Sequence, residues 1–146
     1  MKPSTSPLHD LKVIELGSLI AGPFAARILA EFGAEVIKIE SPDGGDPLRK
    51  WRKLYQGTSL WWYVQSRNKK SLTVNLKHPA GRQIVEKLVA GADVLIENFR
   101  PGVLEKLGLG WDKLSAINPG LVMLRLSGFG QTGPLAQQPG FGAIGE

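Results

Sequence analysis

Residues 11–40, LKVIELGSLIAGPFAARILAEFGAEVIKIE, decide the fold of this chain. An apolar run at 11–16 leads into a turn at 17–23, and residues 24–32 follow with apolar side chains at helical spacing. A second strand-like run at 34–40 completes the order and length of a βαβ unit. In an open parallel sheet such a turn lies at the carboxyl ends of the strands, where ligands bind, and the helix N-terminus behind it suits an anion. The stretch therefore predicts a small-molecule or cofactor site at the turn.

The rest of the chain continues to alternate strand and helix patterns. Strands are predicted at 71–76, 92–99 and 121–126, and helices at 79–91, 101–107 and 111–117. This alternation predicts an α/β fold with a mainly parallel sheet flanked by helices. Residues 1–10 are expected to form a flexible tail. The chain is glycine-rich after Ser127, as functional loops often are, and it stops at Glu146 with nothing that resembles a natural terminus, so we expect a fragment.

Composition narrows the classes of protein that the chain can belong to. The 146 residues fit one domain, and the absence of cysteine excludes disulfides, thiolate metal sites and cysteine nucleophiles. His9 and His78 are the only histidines and lie far apart, so no metal site is expected and a Ser-His-Asp triad has little to build on. No apolar run approaches the roughly 18–20 residues of a membrane span, so we expect a cytoplasmic protein without membrane contact. The net charge of +5 favours anionic partners.

The first turn leaves a nicotinamide dinucleotide (NAD) site open as an alternative. Glu40 ends the second strand about twenty residues after the turn, where dinucleotide-binding domains place a ribose-binding carboxylate. A solvated strand end explains Glu40 equally well. The turn contains only Gly17 and Gly22, and Leu19 and Ile20 would obstruct the approach of a pyrophosphate to the backbone. An NAD-dependent oxidoreductase domain is therefore a weak alternative.

A basic and aromatic segment at 49–70 leaves a non-enzymatic class open. Cations alternate there with rings, namely Arg49, Lys50, Trp51, Arg52, Lys53, Tyr55, Trp61, Trp62, Tyr63, Arg67, Lys69 and Lys70. Phosphate contacts and stacking rings are the ingredients of single-stranded nucleic-acid binding. A solvated basic face over half-buried rings explains the same residues, and the sequence matches no DNA- or RNA-binding module. A basic nucleic-acid-binding module is thus a minor alternative, and we expect no nucleic-acid partner.

Six segments, in one order, cover nearly everything from Leu11 to the end. They are VIELGSLIAGPFAARILAEFGAEVIKIE (13–40), GGDPLR (44–49), NKKSLTVNLK (68–77), ADVLIENFRPGVLEKLGLGW (92–111), NPGLVMLRLSGFGQTGP (118–134) and PGFGAIGE (139–146). Together they resemble the family III CoA-transferases (CaiB/BaiF type), the group that includes formyl-CoA transferase. The resemblance implies that residues 11–146 are the N-terminal part of the family's large domain. The fold implied is a Rossmann-like sheet that is incomplete without the C-terminal part of the family fold.

The resemblance also implies which residues contact coenzyme A (CoA). In the family the first βα turn wraps CoA, and the segments matching NKKSLTVNLK and ENF continue the same surface. The positions that match are Ser18, Leu19, Ile20, Ala21, Val74, Lys77, Asn98, Phe99, Arg100, Val103, Lys106 and Leu107. Lys77 and Lys106 are suited to phosphates as point charges, although some members carry arginine at the position of Lys106. Ser18 and Ile20 replace a histidine and a glutamine of some members, so contacts at the acyl end differ.

The reaction implied is the transfer of CoA from an acyl-CoA donor to a free carboxylic acid. By the family mechanism an aspartate attacks the thioester and forms a mixed anhydride with the acyl group. Released CoA thiolate converts this anhydride to an aspartyl-CoA thioester, from which the acceptor carboxylate takes the CoA. No metal takes part. Family members are interlocked homodimers, so the isolated chain is expected to expose apolar sheet edge and to aggregate.

The nucleophilic aspartate of the family lies beyond the segment that ends at Glu146. None of the aspartates present matches its position; these are Asp10, Asp43, Asp46, Asp93 and Asp112. The resemblance therefore implies a chain that holds the CoA-binding portion and is inactive by itself.

Overall fold

A computed structural model describes residues 6–140, and within this range a five-stranded parallel sheet forms the centre of the molecule. The strands are β1 (Lys12–Glu15), β2 (Glu35–Glu40), β3 (Leu54–Tyr55), β4 (Thr58–Ser59), β5 (Lys69–Thr73), β6 (Val94–Glu97) and β7 (Val122–Arg125). The sheet order is β5-β2-β1-β6-β7, and β3 and β4 form a separate antiparallel pair. Val13 lies opposite Val36 on one side and Val94 on the other, which fixes the register of the central strands.

Helices cover both faces of the sheet. They are α1 (Ala21–Glu31), α2 (Leu60–Gln65), α3 (Pro79–Val89), α4 (Val103–Lys106) and α5 (Trp111–Ile117). Neighbouring side chains on a strand point to opposite faces, so Val13 packs with α1 while Ile14 packs with α3 and α5. Both residues are almost fully buried, as the continuous apolar run of a parallel strand requires. The predicted α/β fold with a mainly parallel sheet is confirmed.

Several predicted boundaries differ from those observed. Helix α1 begins three residues earlier than predicted, so Pro23 lies in its first turn, where a missing N–H breaks no intrahelical bond. Strand β5 runs from Lys69 to Thr73 rather than over 71–76, because the chain turns at Asn75 and the amide of His78 bonds to the carbonyl of Asn75. The predicted helix at 101–107 is shorter, whereas α5 has the predicted bounds.

The described part of the expected N-terminal tail, residues 6–10, forms a turn. The amide of Leu8 donates to the carbonyl of Phe32, and the Leu8 side chain packs against the apolar cluster on the α1 face. Residues 1–5 and 141–146 lie outside the described residues, as does the end of the glycine-rich segment.

Candidate functional site

A pocket of about 440 Å³ opens at the carboxyl ends of β1, β2, β5 and β6. This is the edge of the sheet where the sequence placed a ligand site. The chain contributes four groups of lining residues: Leu16–Ser18 after β1, residues 38–47 around the end of β2, residues 74–77 after β5, and four residues between β6 and the C-cap of α4, namely Phe99, Val103, Lys106 and Leu107. Three of the groups lie at the end of a strand, so the sheet sets their separation.

The walls of the pocket are apolar. Leu16, Ile39 and Val74 are almost fully buried, and Phe99 and Leu107 pack half-buried against the same core. A surface of this kind suits a flat ring or an alkyl chain, since it offers contact area without competing hydrogen bonds.

Two lysines stand in the pocket lining with free ammonium groups. Lys77 and Lys106 are exposed, and among the described residues neither ammonium has a hydrogen-bonding or ionic partner. Asp43 lies in the same lining, on the loop after β2. The free cations give this end of the pocket an affinity for anions such as phosphates.

The turn at 17–23 is held by side chains from other parts of the chain. The amide of Ser18 donates to Asn98 Oδ1 at 2.7 Å, and the amide of Leu19 donates to Asp46 Oδ1 at 3.0 Å. Leu19 has φ +61°, a left-handed conformation that a leucine adopts only when its surroundings impose it. The amide of Leu19, one residue before the N-cap of α1, is therefore bonded to an anion of the chain itself, Asp46.

Asn98 explains the two glycines of the turn. Its Oδ1 accepts from the Ser18 amide and its Nδ2 donates to the Ser18 carbonyl at 2.9 Å, so the side chain clasps the turn. A Cβ at Gly17 would lie 3.0 Å from Asn98 Oδ1, and one at Gly22 would lie 3.2 Å from it. A side chain at either position would crowd this amide and the Cα of the other glycine, which lies 3.0 Å from the added Cβ, so both positions favour glycine.

The structure brings most of the predicted CoA-contacting residues to one pocket. Seven of them line it, namely Ser18, Val74, Lys77, Phe99, Val103, Lys106 and Leu107. The other five lie outside the lining, and these are Leu19, Ile20, Ala21, Asn98 and Arg100. The Asn98 side chain bonds to both the amide and the carbonyl of Ser18, and the predicted contact of Asn98 with CoA stays a prediction.

Glu40 is neither a solvated strand end nor a free acceptor for a ribose. Its carboxylate is buried and accepts both bonds of the Arg49 guanidinium at 2.8 Å, the Ser71 hydroxyl at 2.6 Å and the amide of Asp46 at 2.9 Å. Burial raises the pKa of Glu40, but the hydrogen bonds from Arg49, Ser71 and Asp46 outweigh it and lower the pKa to about 2. Glu40 is therefore not available to bind the ribose of NAD, and the NAD alternative has lost the carboxylate on which it was based.

Four further charged side chains, which the sequence did not predict to meet, lie beneath the turn. Lys38 contacts Glu15 and Asp46, each at 2.8 Å, and Lys69 contacts Glu15 at 2.7 Å. Burial lowers the pKa of Lys69, and Glu15 opposes that shift. The signal in the sequence is a charged residue inside each apolar run: Glu15 in LKVIEL and Lys38 in EVIKIE.

Several side chains of the basic and aromatic segment make contacts within the chain. The Arg49 guanidinium lies 3.8 Å from the centre of the Trp62 ring while it also holds Glu40. Trp51 and Trp61 pack edge to face with their centres 5.8 Å apart. Arg49 is therefore not available to a nucleic-acid phosphate.

Comparison with known proteins identifies the family. Residues 8–146 match the model of CoA-transferase family III. The chain belongs to this family. It is 57% identical over 141 residues to the succinyl-CoA–D-citramalate CoA-transferase of Chloroflexus aurantiacus, covering 96% of this chain and 35% of that protein. It is 42% identical to the human succinyl-CoA:glutarate CoA-transferase, covering 94% of this chain and 32% of that protein.

A solved structure supports the same assignment. The crystal structure of a CaiB/BaiF family protein from Brucella suis superimposes with a TM-score of 0.90 at 41% identity, over 97% of this chain and 38% of that one. The chain thus spans about a third of the length of the relatives it matches.

Two features are absent from residues 6–140. No helix in that range has the length and apolar character needed to cross a bilayer. No group of three or more metal-ligating side chains occurs in the same range.

The Glu40 cluster predicts a specific dependence of stability on pH. Because the carboxyl has a lower pKa folded (about 2) than its ordinary 4.5, its contribution to the free energy of unfolding is present above pH 4.5 and disappears as pH falls towards 2. Glu40→Gln should remove up to roughly 3 kcal/mol of this pH-dependent stability, at about 1.4 kcal/mol per pKa unit. Urea unfolding between pH 6 and pH 2 measures it.

A matched control is Glu35→Gln, which removes an exposed carboxylate paired with Lys70 on the surface. Solvent screens that pair, so its loss should change the pH dependence little. Parallel pH profiles for the Glu40→Gln chain and the wild-type chain would contradict the assignment of the buried cluster.

Proposed function

We propose that the pocket binds the CoA portion of an acyl-CoA, and that the chain is the CoA-binding part of an enzyme that transfers CoA to a free carboxylic acid. The observation that carries this proposal is an apolar pocket at the strand ends, in a chain of CoA-transferase family III, whose lining holds two lysines that have no ionic partner within residues 6–140. CoA combines the features that this pocket matches, since it joins a flat base and an aliphatic arm through phosphates.

The apolar walls and the two lysines of the pocket are expected to contact different parts of CoA. The half-buried ring of Phe99 and the aliphatic side chains of Val74, Val103 and Leu107 offer contact area to the adenine or the pantetheine arm. Lys77 and Lys106 offer point charges to the phosphates and need not break an existing ion pair to do so. The clasped turn contributes Ser18 at the edge of the same wall.

The reaction follows the family mechanism, in which a carboxylate is the nucleophile. An aspartate attacks the donor thioester, releases CoA thiolate and retains the acyl group as a mixed anhydride. The thiolate then attacks the carbonyl carbon of the aspartyl group, which gives the aspartyl-CoA thioester and frees the donor acid. Finally the acceptor carboxylate attacks the aspartyl thioester and displaces CoA thiolate to form a second mixed anhydride. The thiolate attacks the acceptor carbonyl of this anhydride, which gives the new acyl-CoA and frees the aspartate.

The aspartates in the described residues are poor candidates for that nucleophile. Asp46 is buried against Lys38, Asp93 accepts the amide of Lys12 at 2.8 Å, and Asp10 is exposed beside His9. Asp112 lies in the first turn of α5, away from the pocket lining. Asp43 and the ion-paired Asp46 reach the lining, both from the loop after β2. We propose that the nucleophile belongs to a part of the family polypeptide that follows residue 146.

The donor to test first is succinyl-CoA, because it appears in the names of the relatives from Chloroflexus aurantiacus and from human.

The functional polypeptide is proposed to be a homodimer. Exposed apolar side chains on the edge strand β7, Val122 at 61% and Leu124 at 40%, support a need for further covering chain.

If CoA binds to this pocket, it should raise the melting temperature of the chain, and the rise should depend on Lys77 and Lys106. CoA should stabilise the 146-residue chain, whereas NAD should not. Lys77→Ala and Lys106→Ala should each weaken the dissociation constant by about three- to tenfold, as expected for one charge-assisted phosphate contact. Lys87→Ala is the control, because Lys87 is equally exposed but lies on α3 by the opposite end of the strands. Isothermal titration measures the constants; stabilisation by NAD alone would contradict the proposal.

The chain alone is predicted to lack transferase activity. Incubation with succinyl-CoA and glutarate should give no glutaryl-CoA above the background without protein, as followed by chromatography. Asp43→Asn should leave that result unchanged. Turnover by the wild-type chain that disappears in the Asp43→Asn variant would show that the nucleophile is present here.

A further inference from the structure

Four charged side chains are buried together under the first turn of the pocket. The exposed fraction of the side chain is 0% for Glu15, 1% for Asp46 and 2% for Lys38 and Lys69. They come from three neighbouring strands, β1, β2 and β5, and from the loop after β2. Two cations face two anions, so the cluster adds no net charge to the pocket above it.

Each member of this cluster, which we call the buried quartet, is tied to backbone of the turn either directly or through a partner. Lys38 Nζ donates to the carbonyl of Gly17 at 2.8 Å, and Lys69 Nζ donates to the carbonyl of Pro23 at 2.7 Å. Asp46 Oδ1 accepts the amide of Leu19 at 3.0 Å. The turn is thus gripped at its start, its middle and its end.

Asp46 also connects the turn to the opposite wall. The same Oδ1 accepts the amide of Leu48 at 2.8 Å, and the Asp46 amide donates to Glu40. The loop that carries Asp43 and Pro47 into the pocket lining is therefore fixed to the same carboxylate as the turn that carries Ser18. A displacement of the quartet would move both walls together.

Stability alone is a poor explanation for such a cluster. Removing four charges from water is costly, and buried ion pairs can often be replaced by well-packed apolar side chains without loss of stability. Ammonium and carboxylate groups provide something that apolar groups do not, namely directional bonds to chosen backbone atoms. In the quartet those bonds fall on a turn that holds Leu19 in a left-handed conformation.

We propose that Glu15, Lys38, Asp46 and Lys69 are positioning residues, which hold the turn at 17–23 and the loop after β2 in the geometry that binds CoA. The inference rests on the proposed binding of CoA to this pocket. Lys69 and Glu15 act at a distance, because neither lines the pocket. Their effect on binding is transmitted through the carbonyl of Pro23 and through Lys38.

The double variant Glu15→Gln/Lys69→Met tests this role. It removes one charge of each sign, keeps an acceptor for Lys38, and changes no side chain of the pocket lining. The dissociation constant for CoA, from isothermal titration, should rise by about tenfold or more, since small displacements of binding groups weaken contacts steeply. An unchanged constant in a folded double variant would overturn the proposal.

Val36→Ala is the control for a general loss of stability. Val36 is 1% exposed and packs on the α1 face of the sheet, away from the pocket. Truncating it should lower the melting temperature while the dissociation constant for CoA stays within about twofold, because distant sites act independently. An equal loss of affinity in this variant would show that the quartet acts only through stability.

Hydrogen exchange in the wild-type chain provides a measurement that needs neither a variant nor a ligand. If the quartet fixes the turn, the amides of Ser18 and Leu19 should exchange as slowly as amides in the centre of β2, although they bond only to side chains. Exchange at the rate of an exposed loop would overturn the proposal. A chain that protects these amides but does not bind CoA would instead refute the proposed function and leave the rigid turn intact.

Discussion

The geometry of the pocket depends on polar bonds that reach the backbone of one turn. Asn98 clasps it from β6, Asp46 from the loop after β2, and Lys38 and Lys69 from below. Because a parallel sheet brings the ends of distant segments together, side chains up to about eighty positions apart in sequence converge there. The turn cannot adopt another backbone conformation without breaking these bonds.

The residues that hold the turn in place are therefore different from the lysines proposed to bind the ligand. The charged side chains beneath the turn form ion pairs with one another, within the quartet and within the Glu40–Arg49 pair. They are therefore not available to a ligand. Lys77 and Lys106 are left without partners in the described residues and determine the charge that a ligand meets. The pocket is thus neutral beneath, apolar at its walls and cationic in part of its lining, and the proposed binding of a CoA thioester rests on this combination.

Much of the fold could be predicted from sequence because its signals are local. The apolar run at 11–16, the turn and the helix after it indicated βαβ, and Pro79 marked the first residue of α3. The site could be predicted in outline from a family resemblance, which selected seven residues that the structure places in one pocket. Their contact with CoA remains a prediction.

Other features could not be predicted because they depend on register between strands. Glu15, Lys38 and Lys69 meet only because β1, β2 and β5 are adjacent, with Glu15 opposite Lys38 in the pairing of β1 and β2. The same register buries Glu40 beside Ser71 and removes it from the surface. The bonds from Asn98 to the turn could not be predicted for a related reason, since the partner Ser18 is eighty positions away.

Amide chemical-shift mapping during a titration with CoA tests the central claim most directly. Saturable shifts should appear at residues 16–18, 74–77 and 99–107, the three stretches that follow β1, β5 and β6 around the pocket. Absence of saturable shifts, or shifts confined to the basic and aromatic segment at 49–70, would contradict the assignment of this pocket to CoA.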